Sequence, residues 1–178
     1  MREALLSAAA KQFAARGVAT VSVAELIAEA DVSRATFYQF FSSKYSLLED
    51  ILNPVFDYAI EHIGALAAAS PRRGLEGIVE VYLALWREHR EGLLLIPDVD
   101  PATFRRFEAR HRALNEALLR VLTAAEHEGL LRNGSAHFSL KVIARTAIPL
   151  LRVYSGHPAG ETLFTDALRG LLLHECAS

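Results

Sequence analysis

The chain has 178 residues, 52% of them hydrophobic, with a formal net charge of −2. That is enough apolar material for one domain, or for a small domain joined to a larger one. The charge excludes binding of nucleic acid by bulk attraction. A single cysteine, Cys176, excludes an intrachain disulfide and a four-cysteine zinc site, and fits a reducing cytoplasm.

Taken in order, almost every segment carries helical period. Leu5, Leu6, Ala9, Phe13 and Ala14 follow three-and-four spacing until Gly17 stops the first helix. Ser22 with Glu25 is a capping-box pattern that opens a second helix ending near Ala30. Asp31-Val32 makes a turn, and Ser33 caps a third helix. Ser42-Ser43-Lys44 then interrupts the pattern. A longer helix is expected from about Ser46 to Ala69, kinked at Pro54. Ser70-Pro71 signals the next helix, reaching about Arg90. Gly92 to Asp98 reads as a short apolar connector of about one helical turn. Asp100-Pro101 opens a long helix that Gly129 closes, and Asn133-Gly134-Ser135 is a loop. Two further helices follow, from about Ala136 to Ser155 and from Glu161 to about His174.

No segment alternates as a strand, so the expected fold is all-α with about nine helices. No apolar run approaches the roughly 18 residues that span a bilayer, and the N-terminus is too acidic for a signal peptide. A cytoplasmic protein is expected. The one plausible boundary lies near Ser46, dividing residues 1–45 from 46–178. The helix there would be shared by both domains.

Within residues 22–44 the second and third helices, joined by a tight turn, have the form of a DNA-reading unit. Val32, Phe37 and Phe41 can point inward, leaving Arg34, Ala35, Thr36, Tyr38 and Gln39 outward. Ala35 is small enough to admit the groove floor. Thr36 offers a methyl to thymine or a hydroxyl to phosphate, Gln39 suits an adenine edge, and Arg34 reaches a guanine or a phosphate. The helix N-termini at Ser22 and Ser33 present free backbone N–H groups to phosphates.

Phe13 to Gly17, Val21 to Leu26, the run Val32-Ser-Arg-Ala-Thr-Phe-Tyr and Phe41-Ser-Ser-Lys44 together resemble the N-terminal helix-turn-helix domain of TetR-family transcriptional repressors. The resemblance covers about the first 50 residues; beyond them the chain is similar only in length and helical character. It implies that Tyr38 and Lys44 bind phosphates. It also implies a double-stranded DNA operator, a homodimer formed through the last two helices, and release by a small effector. Three positions depart from the family pattern. Asp31 replaces a usual glycine, Ile27 a commonly small residue, and Phe40 a frequent phosphate-contacting histidine. Only Arg2 stands ahead of the first helix, which predicts modest affinity at physiological salt, or basic residues ahead of Met1.

In the helical body, Leu75, Ile78, Val79, Tyr82, Leu85, Trp86 and His89 form one stripe, and Phe104, Phe107, His111, Leu114, Leu118 and Val121 another. In a TetR-like body, Tyr82, Trp86, Phe104 and Phe107 would line an apolar pocket with His111 as its polar handle. An aromatic stripe equally serves as plain core. Near the C-terminus, Leu140, Ile143, Ala147, Leu151 and Tyr154 share a face, while Val142, Pro149 and Val153 lie away from it. Phe164, Leu168, Leu171 and Leu172 form the last stripe. One face can pack on the body and leave the other for a partner.

Catalysis is not expected. Glu108-x-x-His111 is half of a di-iron pattern with no second Glu-x-x-His. No phosphate-cradling glycine loop or nucleophile signature is present, so neither a cofactor nor a metal is expected. The expected function is thus a homodimeric DNA-binding regulator released by a small, largely apolar ligand. The alternative is a helical ligand-binding or dimeric interaction protein that no longer reads DNA.

Overall fold

The computed structural model describes residues 1–174; Cys176 lies outside the described residues. The described residues are helical throughout: α1 (Arg2–Arg16), α2 (Val23–Glu29), α3 (Arg34–Phe40), α4 (Lys44–Ala65), α5 (Pro71–Glu88), α6 (Arg90–Leu95), α7 (Pro101–Phe104), α8 (Glu108–His127), α9 (Ala136–Tyr154) and α10 (Gly160–Leu172). Extended backbone pairs only in an isolated antiparallel bridge, Leu131 with Leu173, among those residues.

The chain divides into two compact units. Met1–Val55 gathers with His89–Glu108, and Phe56–Glu88 with the described residues from Ala109 onward. In the first unit, α1 buries Leu5, Phe13 and the small run Ala8 to Ala10, which lets α2 and α6 approach closely. Leu26, Phe37, Leu47, Leu48 and Leu52 are fully buried beside them. Each such side chain contributes on the order of 2 kcal/mol of hydrophobic stabilisation. The segment expected at Gly92 as a connector of about one helical turn is the six-residue α6, from Arg90. A side chain at Gly92 would meet Val55 Cγ2 at 2.7 Å and the Ile51 carbonyl at 2.8 Å. Glycine here serves close packing of α6 on α4, which offsets its poor helix propensity.

The long helix expected after Asp100 is divided. Asp100 caps α7 by accepting from the N–H groups of Ala102 and Thr103. A 3-10 turn at Arg105–Phe107 then separates α7 from α8. Three-residue winding eclipses positions i and i+3, and Phe104 and Phe107 stand with ring centroids 6.3 Å apart.

In the second unit, α5 packs on α10, and α10 on α9. Gly74 permits a close approach of α8, since an added Cβ would lie 2.8 Å from Val121 Cγ1. The bridge at Leu131 fixes the end of α10: Arg132 N–H donates to Leu172 O, and His174 N–H to Leu130 O. Arg87 of α5 pairs with Glu161 of α10. Among the described residues no helix is long and apolar enough to cross a membrane.

Candidate nucleic-acid interface

The reading unit is built from two short helices that could not persist alone. Their termini are therefore held by side chains. The Ser22 hydroxyl accepts from Glu25 N–H at 3.2 Å, and Ser22 N–H donates to Glu25 Oε2 at 2.8 Å, completing the capping box. Arg16 donates to the same carboxylate at 2.7 Å. The Ser22 N–H, with Arg16 and the Ser22 hydroxyl, pulls the Glu25 pKa down to about 2. Asp31 makes the turn with φ of 50°, and Val32 N–H returns to Ile27 O at 3.2 Å. A short polar side chain tolerates this left-handed geometry better than most, so the turn expected at Asp31 is formed without glycine. Ser33 caps α3 by accepting from Thr36 N–H at 3.0 Å, and its hydroxyl meets that of Thr36 at 2.8 Å.

Helix α3 separates its residues as its period requires. Phe37 is fully buried and Phe41 nearly so, and they hold the helix on the core. Ser33, Arg34, Ala35 and Gln39 are exposed, as is Ser22, and Thr36 is half-buried. Tyr38 remains 49% exposed, with Arg34 lying over its ring at 5.8 Å. Phe40 is 44% exposed at the same end of α3 as Gln39. The sequence pattern marks Phe40 only as a lost histidine; its exposure puts an aromatic surface beside the outward row.

Lys44 lies differently from the other candidates. Its ammonium donates to the carbonyl oxygens of Val18, Ala19 and Val21 at 2.8, 2.9 and 2.8 Å. An ammonium has three N–H donors, so none is left for a phosphate in this arrangement. The other cations of residues 1–45 are mostly paired too: Arg2 with Asp50, Lys11 with Glu29 and Arg16 with Glu25. Arg34 alone has no carboxylate or carbonyl partner among the described residues.

Residues 5–51 match the family described as bacterial regulatory proteins, tetR family. That match spans the first three helices and the start of the fourth. No curated protein matches the chain. Solved structures of TetR-type regulators share its fold over nearly the whole length. The ketosteroid transcriptional regulator KstR2 of Mycobacterium tuberculosis superposes with a TM-score of 0.81 at 21% identity, over 98% of this chain and 95% of that one. The TetR-family regulator PfmR of Thermus thermophilus gives 0.77 at 18% identity, over 100% and 98%. SmeT, the repressor of the Stenotrophomonas maltophilia multidrug efflux pump SmeDEF, gives 0.66 at 19% identity, over 98% and 91%. It also appears among them in complex with triclosan. TetR-family regulators are non-enzymatic DNA-binding proteins.

The residues expected to meet an effector in a TetR-type body fall in both units. In the first, Phe107 is buried and Phe104 half-buried. In the second, Tyr82 is buried, which pushes its phenol up to about 12, and half-burial lowers the His111 imidazole. Trp86 is half-buried and lines a cleft of about 430 Å³, together with Leu151, Tyr154, His157, Pro158 and Glu161. That volume falls in the range of small-molecule sites. The turn at His157 to Gly160, which shapes this cleft, carried no ligand signal in the sequence.

Proposed function

We propose that this chain is a homodimeric transcriptional repressor. It reads a palindromic operator with α3 and is released by a small, largely apolar ligand. The observation that carries the reading is the outward row Arg34, Ala35, Tyr38 and Gln39 on a capped helix whose opposite side is buried. Ser22, Ser33, Thr36 and Tyr38 position the head on phosphates and sugar, and Arg34, Ala35 and Gln39 face the base edges. Residues 1–45 form the reading head and 46–178 the sensing and pairing body, in the cytoplasm.

Pairing is supported by apolar surface on the last two helices. Phe138 and Val153 of α9 are 61% and 74% exposed, and Leu171 of α10 is 39% exposed. A twofold pairing of α9 and α10 would match a palindrome with half-sites one helical turn apart. Effector contacts are assigned to Tyr82, Trp86, Phe104, Phe107 and His111; SmeT, of the same fold, was captured in complex with triclosan. Release is a population shift: the ligand favours a body in which the half-site spacing no longer fits.

Selection of bound sequences from a random DNA pool at near-physiological salt tests this reading. Enrichment of one palindrome supports it, and no enrichment by folded protein sinks it. One observation favours a second reading, in which a helical ligand-binding protein no longer reads DNA. Four of the five cations in residues 1–45 are engaged within the protein, leaving little free charge for phosphate. A shallow salt dependence of DNA binding with no preferred sequence would favour that second reading.

A further inference from the structure

We infer that Lys44 is a positioning residue of the reading head, acting from behind the interface and neutralising no phosphate itself. The proposal rests on the DNA-reading function above and adds the device that shapes its surface.

The loop joining α1 to α2 contains three carbonyls, at Val18, Ala19 and Val21, that converge on one point. No backbone N–H among the described residues donates to any of them. Lys44, the first residue of α4, places its ammonium there and satisfies all three. The side chains of Val18 and Val21 are buried in the core, so the loop is pinned from both sides. Lys44 is itself half-buried, and its ammonium also lies 5.5 Å from the centroid of the Tyr45 ring.

The consequence falls on Ser22. Its N–H and hydroxyl open α2, and Val21, whose carbonyl Lys44 grips, immediately precedes it. Fixing that peptide fixes the direction in which the α2 N-terminus presents its free N–H groups. Preorganised donors lose less entropy on binding than donors in a mobile loop. Lys44 therefore improves phosphate contacts made by backbone groups while contributing no charge at the interface. Only a compact ammonium suits this role: three N–H vectors diverge from one atom, whereas a guanidinium presents a planar fork.

Lys44→Arg and Lys44→Met, compared with wild type, test the proposal at a temperature where circular dichroism shows each folded. Affinity for the selected operator is measured across a salt series. Both variants are expected to bind roughly tenfold more weakly, on the scale of hydrogen bonds to a charged group. Their salt slope should stay at the wild-type value. In a Ser22→Ala background, Lys44→Met should cost little further affinity, because both changes act on one N-terminus. A phosphate contact gives the opposite pattern: Lys44→Arg keeps its affinity, and Lys44→Met loses about 0.9 of slope per contact. That pattern overturns the proposal, and so does unchanged affinity in both variants. Hydrogen exchange decides the clamp without DNA. The amides of Glu25 and Leu26, which donate to Ser22, should exchange faster in both variants, and unchanged exchange overturns it. A wild type that binds no DNA sinks the DNA reading alone, and the exchange result still decides whether Lys44 holds the loop.

Discussion

Arg106 lies over Tyr45, its guanidinium carbon 4.7 Å from the ring centroid, and donates to Glu49 at 3.0 Å. One side chain thus ties the 3-10 turn before α8 to the first turns of α4. All three residues belong to the first unit, in which the segment His89–Glu108 joins the reading head. The contact is partly solvated, so the ion pair contributes about 0–1 kcal/mol and the cation–π contact about 0.5–1 kcal/mol. Arg106→Ala should lower stability by about 1 kcal/mol on those figures. Arg106→Lys should recover only part of it, because an ammonium stacks less well than a guanidinium. Thermal unfolding of the two variants checks the order, and a double-mutant cycle with Glu49→Gln isolates the pair. An Arg106→Lys protein as stable as wild type would remove the ring contact from the account.

The Glu25 carboxyl sets an acid limit on the reading head. Its folded pKa of about 2 lies below its ordinary value of 4.5. The stabilisation it gives is therefore complete above that ordinary value and is lost as pH falls from there toward about 2. Glu25→Gln can still accept from Ser22 N–H but carries no titrating charge. Melting temperature followed against pH should thus fall less steeply for Glu25→Gln than for wild type across that window. Parallel curves would assign acid sensitivity to other carboxylates.

Much of this arrangement was legible because it is local in sequence. Ser22 and Glu25 are three residues apart, as are Ser33 and Thr36, and a capping pattern needs no knowledge of the rest of the chain. The inward aromatics of α3 were legible through helical period. Lys44 was not: its carbonyl partners lie 23 to 26 residues away, and no spacing rule connects a lysine to a distant loop. The family pattern pointed it at phosphate; the fold turns it inward. The role of Gly92 was hidden for a related reason: its backbone packs against Ile51 and Val55, distant in sequence, where an added Cβ would not fit. The 3-10 turn at Arg105–Phe107 lies inside a run with continuous helical period, so periodicity could not place it.

The turn between α2 and α3 offers a test of backbone conformation. Asp31 sits at φ of 50° without the freedom of glycine. Asp31→Gly should be neutral or slightly stabilising, since relief of left-handed strain opposes the entropy glycine adds to the unfolded chain. Asp31→Val should cost about 1–2 kcal/mol, because a branched side chain crowds the carbonyl in that region. Denaturant midpoints of both variants decide it; a tolerated valine would mean that the turn relaxes to another conformation.

Removal of the α3 cap should separate stability from DNA reading. Ser33→Ala removes the acceptor for Thr36 N–H and should cost about 1 kcal/mol. It also frees the Thr36 hydroxyl, which meets Ser33 at 2.8 Å. Ser33→Asp keeps an acceptor at the cap and adds favourable charge at the helix N-terminus. Its stability should match or exceed that of wild type. The same carboxylate would face the phosphates assigned to this terminus, so its affinity for operator should fall while its stability holds. Calorimetric unfolding and an operator titration on one preparation read both quantities. An aspartate variant that is stable and binds operator as wild type does would mean that phosphate does not approach the N-terminus of α3.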